Sequence, residues 1–449
     1  MRKEAYKTLV LAFPIILGEL AQMALRIIDT AMVGAVNYKQ LAAVALVTNV
    51  LNIPFVFGIG ITIAVSQTVS MAHGRQDKNR VSHFLYNGFW ICFLFACLIS
   101  FGLEAGKNIL FHLDQDPEVA RLGLPYLRLM GWSILPMILF LSLKQFTDGL
   151  QFTRVGMLLS LIALPLNIFL NWLLIYGNWG FPRLEIAGAG WGTLITRTVI
   201  CIILLIIVLK HTLFEEYISA GKSQWFLKIE TCKELLHIGI PSSLQIAMEA
   251  GAFALAGIFI GTIDAVSLAA HQIALSVASA TFMVSIGISQ AGSIRISHAF
   301  GRKDWHKISL IGKSNILTAI LYGSLCAILF IIFRRQLPLI FNKDHEVIKV
   351  AAWLLLFAAV FQISDSTQAI SAGLLRGIKD MKIPTLYIAI AYWIVGIPVG
   401  YVLAFYFRMG AAGIWTGLIA GLTFSAAFLS IRFRKMIRTR HDMIINYSV

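Results

Sequence analysis

The feature that most constrains this chain is a succession of nearly uncharged apolar stretches, each about as long as a bilayer is thick. A helix needs roughly 20 apolar residues to span the hydrocarbon layer. Runs such as Ile200–Leu209 and Ile316–Phe333 are too numerous to bury in one core. The chain has 449 residues, of which 58% are hydrophobic and 13% charged. A soluble domain carries about 25% charged residues, so this chain cannot make a soluble surface. The runs predict an all-α membrane protein with helices near 8–34, 43–72, 84–105, 124–146, 157–177, 187–209, 235–262, 269–299, 309–333, 348–374, 384–406 and 411–431. Pro14, Pro54, Pro136, Pro165, Pro241 and Pro398 fall inside these spans, where neighbouring helices can satisfy the freed backbone groups.

Charge then orients the chain. With the amino terminus in the cytoplasm, about 23 Lys and Arg fall inside and about 10 outside, as the positive-inside rule requires. Both termini are then cytoplasmic, which needs an even number of spans. Arg2, Lys3 and Lys7 precede an apolar stretch from about Leu9 to Val33 that lacks a small-residue cleavage site, so it reads as a retained first helix. The formal charge of +15 is spread between apolar segments, not gathered in a patch, which argues against nucleic acid. The five cysteines show neither a disulfide framework nor metal spacing. No HExxH, GxSxG or P-loop occurs, so neither an enzyme nor an ATP-driven pump is indicated.

An internal repeat fixes the architecture. Pro14 matches Pro241 at a separation of 227. The same offset pairs Gly34 with Gly261, Leu41-Ala42-Ala43 with Leu268-Ala269-Ala270, Gly60 with Gly287, Ser66 with Ser293, Ser70 with Ser297, Gly74-Arg75 with Gly301-Arg302, and Asp77 with Asp304. Weaker echoes pair Gly149-Leu150 with Gly373-Leu374, and Gly190 with Gly413. Six spans separate the copies, so they keep one orientation and form parallel repeats, an arrangement typical of transporters. The longest connection sets the divisions: an amino-terminal six-helix lobe over 1–210, a cytoplasmic linker over 211–234, a carboxyl-terminal lobe over 235–431, and a basic tail over 432–449.

Ionisable residues deep in a span cost at least ~2.5–3.5 kcal/mol, which makes them functional candidates. The deep acids are Glu19, Glu249 and Asp365, with Asp29 nearer one end of the first span; the embedded cations are Arg26, Lys144, Arg197 and Arg295. Glu249, whose repeat partner is the neutral Gln22, suits the exchange of a proton or Na⁺. Asp365 lies among Gln362, Ser364, Ser366, Thr367 and Gln368, oxygens that suit a hard cation; the competing reading for both acids is a polar helix-packing contact. Asp29 follows Arg26 at i,i+3, so an intrahelical ion pair competes with a functional role. Asn167 and Asn171 share a face at i,i+4. Glu19 is unexplained by spacing, and Arg26 two turns on is its expected partner.

At this point the residues resemble a known family. Ile28-Asp29-Thr30-Ala31-Met32-Val33-Gly34, Leu41-Ala42-Ala43, Gly74-Arg75 and Leu374-Leu375-Arg376-Gly377 are similar to the multidrug and toxic compound extrusion (MATE) transporters, over nearly the whole chain. Glu249 with Asp365 in these contexts resembles the NorM-like branch. The resemblance implies two six-helix bundles forming a V-shaped cleft, and export of organic cations, drugs and dyes among them, in exchange for Na⁺ or H⁺. It implies no other cofactor, a monomer in the bilayer of a bacterial inner membrane, and antibiotic resistance as the phenotype. It assigns Glu249 and Asp365 as cation-coupling acids and as Na⁺ ligands. Asp29 becomes the first-helix acid of the other lobe, with Asn167 and Asn171 as its polar partners. Phe361 stands where some relatives carry Tyr, and Glu19 lies outside the pattern. The alternative is a lipid-linked oligosaccharide flippase of similar two-lobed build, which the embedded cations favour and the paired acids oppose.

Overall fold

Polar caps, not apolar runs, set where the helices begin. The computed structural model describes residues 1–112, 116–220 and 227–447. Among these, twelve helices are long and apolar enough to cross a membrane, in agreement with the twelve expected. They are α1 (Arg2–Gly34), α2 (Tyr38–Gly74), α3 (Lys78–Ala105), α4 (Pro117–Gly149), α5 (Thr153–Tyr176) and α6 (Ile186–Lys210). After the short α7 (Thr212–Ala220) come α8 (Ile229–Gly261), α9 (Ala265–Gly301), α10 (Trp305–Phe333) and α11 (His345–Gly377). The eleventh span, Lys382–Tyr406, contains α12 (Lys382–Ala389) and α13 (Ile397–Tyr401), and the last lies in α14 (Ala411–Tyr447). Most helices start several residues before their apolar run. Asn37, Asp77, Asp116, Asp264, Asp304 and Asp344 each accept a hydrogen bond from a first-turn amide. Such caps satisfy donors that the helix itself leaves free.

The connection expected over 211–234 is partly helical. Residues 221–226 lie outside the described residues, but α7 docks through buried Phe214 against Phe146 and Phe152, with ring centroids 5.9 and 5.5 Å apart, and α8 already begins at Ile229. The expected tail is largely a continuation of α14, with residues 448–449 outside the described residues.

The repeat persists into local geometry. Gln76 and Lys303, 227 positions apart, both take a left-handed φ of 59°. The amides of Asp77 and Asp304 reach back to the carbonyls of Ala72 and Ala299. A Cβ on Gly34 or on Gly261 would touch Leu41 or Leu268, respectively, at 3.4 and 3.5 Å. One echo needs correction. Gly149 corresponds to Gly377, not Gly373: both end their helices, and both are followed two residues later by a left-handed residue, Gln151 or Lys379. The extra turn between the two readings carries the same Gly-Leu spelling, which is what makes the sequence echo misleading.

Contacts divide the chain into two compact units. One, here the carboxyl-terminal unit, comprises Met1–Ile16 and Leu244–Val449; the other, the amino-terminal unit, is Leu17–Ser243. The divisions fall inside α1 and α8, again 227 residues apart, and differ from lobes drawn at the linker. Each unit is built round its fourth span. In the amino-terminal unit α4 packs against α2, α3 and α6; in the carboxyl-terminal unit α11 packs against α9, α10 and α14. Small residues let α13 and the turn before it meet α14 backbone to backbone, and a Cβ on Gly417 would collide with Gly396 and Gly400. Wide π-helical turns over Ile390–Gly396 interrupt this span and carry Tyr392, which is wholly buried.

Candidate functional site

In the carboxyl-terminal unit the two expected acids come together. Glu249 on α8 is half-buried and Asp365 on α11 is 2% exposed. The charge of Glu249 acts directly on Asp365, and among the described residues no basic side chain lies within Coulombic reach of either. The Tyr392 phenol and the Gln368 amide stand near Glu249, and the phenol donates to Gln368 Oε1 at 3.5 Å. One Asp365 oxygen, Oδ1, has no hydrogen-bond partner, and neither amide atom of buried Gln362, one turn away, has one. Of the hydroxyls in that turn, Ser366 bonds to Ser285 at 2.9 Å and Ser364 to Thr423 at 2.8 Å. Aromatic rings stand around the pair. Phe253 lies 5.9 Å from Phe361 and 6.0 Å from Tyr392, and Phe361 lies 5.6 Å from Trp415. Two acids among neutral dipoles and π faces hold negative charge that only a cation or a proton can offset.

In the amino-terminal unit Asp29, Asn167 and Asn171 also meet, and all three are buried. Asn171 Nδ2 donates to Asp29 Oδ1 at 2.6 Å and lies 3.1 Å from Asn167 Oδ1. Thr193 Oγ1 donates to Asp29 Oδ2 at 3.0 Å. The competing ion pair with Arg26 does not hold Asp29: its oxygens are taken by α5 and α6, and the guanidinium acting on it is that of Arg197. Arg197 in turn donates to Ser133 Oγ at 2.7 Å. Gly192 leaves the room that Asn171 occupies, since a Cβ there would strike its side-chain oxygen. Sequence spacing did not indicate Thr193, because a threonine in an apolar helix commonly bonds its own backbone.

Glu19 departs from its expected partner. Its Oε1 lies 3.2 Å from Lys144 Nζ, and the same ammonium stands 3.5 Å from Asp148 Oδ2. Lys144 lies one helix away yet directly opposite, whereas the Arg26 side chain leaves α1 two turns along and only adds its field to Glu19. Asp148 was not singled out because the apolar run appeared to end two residues before it; its spacing from Lys144, i,i+4, was the available signal. Arg295 is also spoken for. It forms an ion pair with Glu4 and donates to the Glu4 carbonyl and Thr8 Oγ1, both at 2.6 Å.

Comparison with known proteins gives consistent likenesses. The family model MatE matches residues 14–173 and 241–402, so its two segments fall on the two repeats. The chain is 33% identical over 444 residues to a probable multidrug resistance protein NorM of Mesorhizobium japonicum, covering 97% of this chain and 95% of that one. It is 31% identical to multidrug resistance protein MdtK of Yersinia pseudotuberculosis, covering 96% and 95%. Among solved structures, a MATE protein in a bent conformation superposes with a TM-score of 0.89 at 18% identity, over 97% and 96% of the two chains. The eukaryotic MATE transporter AtDTX14 superposes at 0.86 and 19% identity, over 98% and 99%. At such identities the structural likeness speaks for the fold.

Proposed function

The chain belongs to the MatE family, and on that premise we propose that it is a multidrug efflux transporter that exchanges organic cations for Na⁺ or H⁺ across a bacterial inner membrane, with both termini in the cytoplasm. The observation that carries this reading is the acid pair of half-buried Glu249 and buried Asp365, without a base. The pair has an unmet demand for positive charge, which a coupling ion or a cationic drug can meet but not both at once. Competition for the same carboxylates is a sufficient basis for antiport, because each ligand then lowers the affinity for the other. The rings of Phe253, Phe361, Tyr392 and Trp415 offer π faces to a lipophilic cation. Phe361 brings no hydroxyl to a metal ion, so Na⁺ would rely on Glu249, Asp365, Gln368 and the phenol of Tyr392. A proton requires no such set.

The flippase alternative needs cations free to receive a diphosphate. Arg295 is engaged by Glu4, and Lys144 by Glu19 and Asp148, which weighs against it.

The test is ethidium efflux from proteoliposomes under separately imposed Na⁺ and H⁺ gradients. Glu249→Gln and Asp365→Asn, reconstituted to wild-type density, are expected to lose gradient-driven efflux. Efflux retained by both variants would end this reading. Transport of a polyprenyl-diphosphate probe without ethidium efflux would favour the flippase.

A further inference from the structure

The contact that family likeness leaves unexplained is the trio of half-buried Glu19 with buried Lys144 and Asp148. We propose that it forms a second proton-exchanging site, in the amino-terminal unit, with Asp148 as the group that takes up and releases the proton and Lys144 as the cation shared between the two acids.

The geometry is that of one ammonium serving two carboxylates. Lys144 is 3% exposed and Asp148 1%, whereas Glu19, at 24%, is the member that meets the surface. Glu19 holds the closer contact, 3.2 Å against 3.5 Å. Neither oxygen of Asp148 has a hydrogen-bond partner, although both are fully enclosed. Buried carboxylates ordinarily collect donors, and a charged one left with a single long ion pair is costly. The charges acting on Asp148, among the described residues, are those of Lys144 and Glu19. From α1, Arg26 adds its field to Glu19, so Asp148 is left with a share of one ammonium. From α5 comes the hydroxyl of Ser160, buried and also without a partner. A Cβ on Gly18 would lie 3.7 Å from both that hydroxyl and Lys144 Cε. From α2, backbone and Val69 close over Gly149 beside it.

This place is made to order by the sequence. Gly156 clears the path of the Lys144 stem, since a Cβ there would lie 2.8 Å from its Cγ. The cluster bridges α1 and α4, the same helix pair that, in the other repeat, brings Glu249 of α8 to Gln368 of α11. It lies one turn along from that contact, because Glu19 precedes Gln22, the repeat mate of Glu249, by three residues.

A proton fits better than a metal ion. A metal ion at Asp148 would sit against the Lys144 ammonium, and no group of three His, Cys, Asp or Glu side chains able to hold one occurs among the described residues. A proton needs no further ligands. Transferred from hydronium to an Asp148 oxygen, it leaves water behind, brings the trio to neutrality, and lets the ammonium settle on Glu19. Release reverses each step, and no electrons move.

Proton uptake stands independently of transport; its use in efflux rests on the exporter reading. The experiment is an infrared pH titration of the purified full chain in nanodiscs, following the protonated-carboxyl C=O stretch, in a Glu249→Gln/Asp365→Asn/Asp29→Asn background that silences the other membrane-embedded acids. A pH-dependent band is expected to remain, to vanish on adding Asp148→Asn, and to return with Asp148→Glu. With Lys144→Gln, which keeps both acids, the titration is expected to move to higher pH by about one unit or more, since an opposite charge has been removed. A folded Asp148→Asn protein with an unchanged band overturns the proposal, as does a Lys144→Gln titration that stays in place. Ethidium efflux on the Asp148→Asn single variant separates the two readings. Wild-type efflux without an Asp148 band leaves the exporter standing, and an Asp148 band without wild-type efflux leaves the proton site standing.

Discussion

The two units share their turns and caps and part company over buried charge. Each has the same left-handed corner after its second span, the same aspartate cap after that corner, and a fourth span at its centre. In the amino-terminal unit each buried acid has a base or donors beside it: Lys144 stands between Glu19 and Asp148, and Asp29 has Asn171, Thr193 and the field of Arg197. In the carboxyl-terminal unit Glu249 and Asp365 have, apart from each other, only neutral neighbours. Even the end of the central helix differs in sign, since Asp148 occupies the position of Arg376. Duplication thus preserved the frame, whose turns tolerate little change, and left the interior charges free to diverge. One unit sets a base between two of its acids; the other has none for either member of its pair.

The strongest way to break that contrast is to supply the missing base. Gln368→Lys places an ammonium beside Glu249, much as Lys144 stands beside Glu19. The internal cation should then take the place of the coupling ion. Gradient-driven ethidium efflux is expected to fall roughly 5–150-fold, the span of ordinary coupling free energies. Efflux at the wild-type rate, with the variant folded, would mean that the absence of a base there has no functional weight.

The converse change removes a base from the balanced unit. Lys144→Gln leaves buried Asp148 and half-buried Glu19 without their shared ammonium, and breaking one side of a buried pair such as Lys144–Asp148 costs about 3–5 kcal/mol. Reversible unfolding in mixed micelles should report a loss of that order, partly recovered by adding Glu19→Gln. A loss under about 1 kcal/mol would show the trio to be electrostatically slack. Next in size is Asn171→Ala. It deprives Asp29 of its 2.6 Å donor, and hydrogen bonds to charged groups contribute about 1.5–3 kcal/mol. Thr193→Val acts on the same carboxylate, so the two losses should fail to add.

Much of this was legible from the residues. Spans, repeat and the acid pair follow from length, periodicity and the cost of charge in a bilayer, all of which are local properties of the string. The partners of the charges were not. Glu19 was expected to pair with Arg26 because spacing along one helix is visible, whereas Lys144 reaches it from another helix through gaps left by Gly18 and Gly156. Tyr392 was hidden for a related reason: π-helical turns change which face a residue presents, and hydrophobic periodicity does not announce them. The partition of α1 and α8 between units escaped for a third reason, since a helix continuous in sequence gives no sign that its two halves pack on different neighbours.

The smallest predicted effect tests the shared half of the comparison. Gln76 and Lys303 both hold φ at 59° without being glycine, and a side chain in that region costs about 1–2 kcal/mol. Glycine removes the strain but adds unfolded-state freedom, so Gln76→Gly and Lys303→Gly should each gain no more than about 1 kcal/mol. If the corners are equivalent parts of one duplicated frame, the two gains should agree within about 0.5 kcal/mol and add in the double variant, because sites that share no partners act independently. Unequal gains would mean that divergence reached the frame as well as the charges. The comparison would then shift from a common scaffold with different interiors to two bundles that merely share a trace.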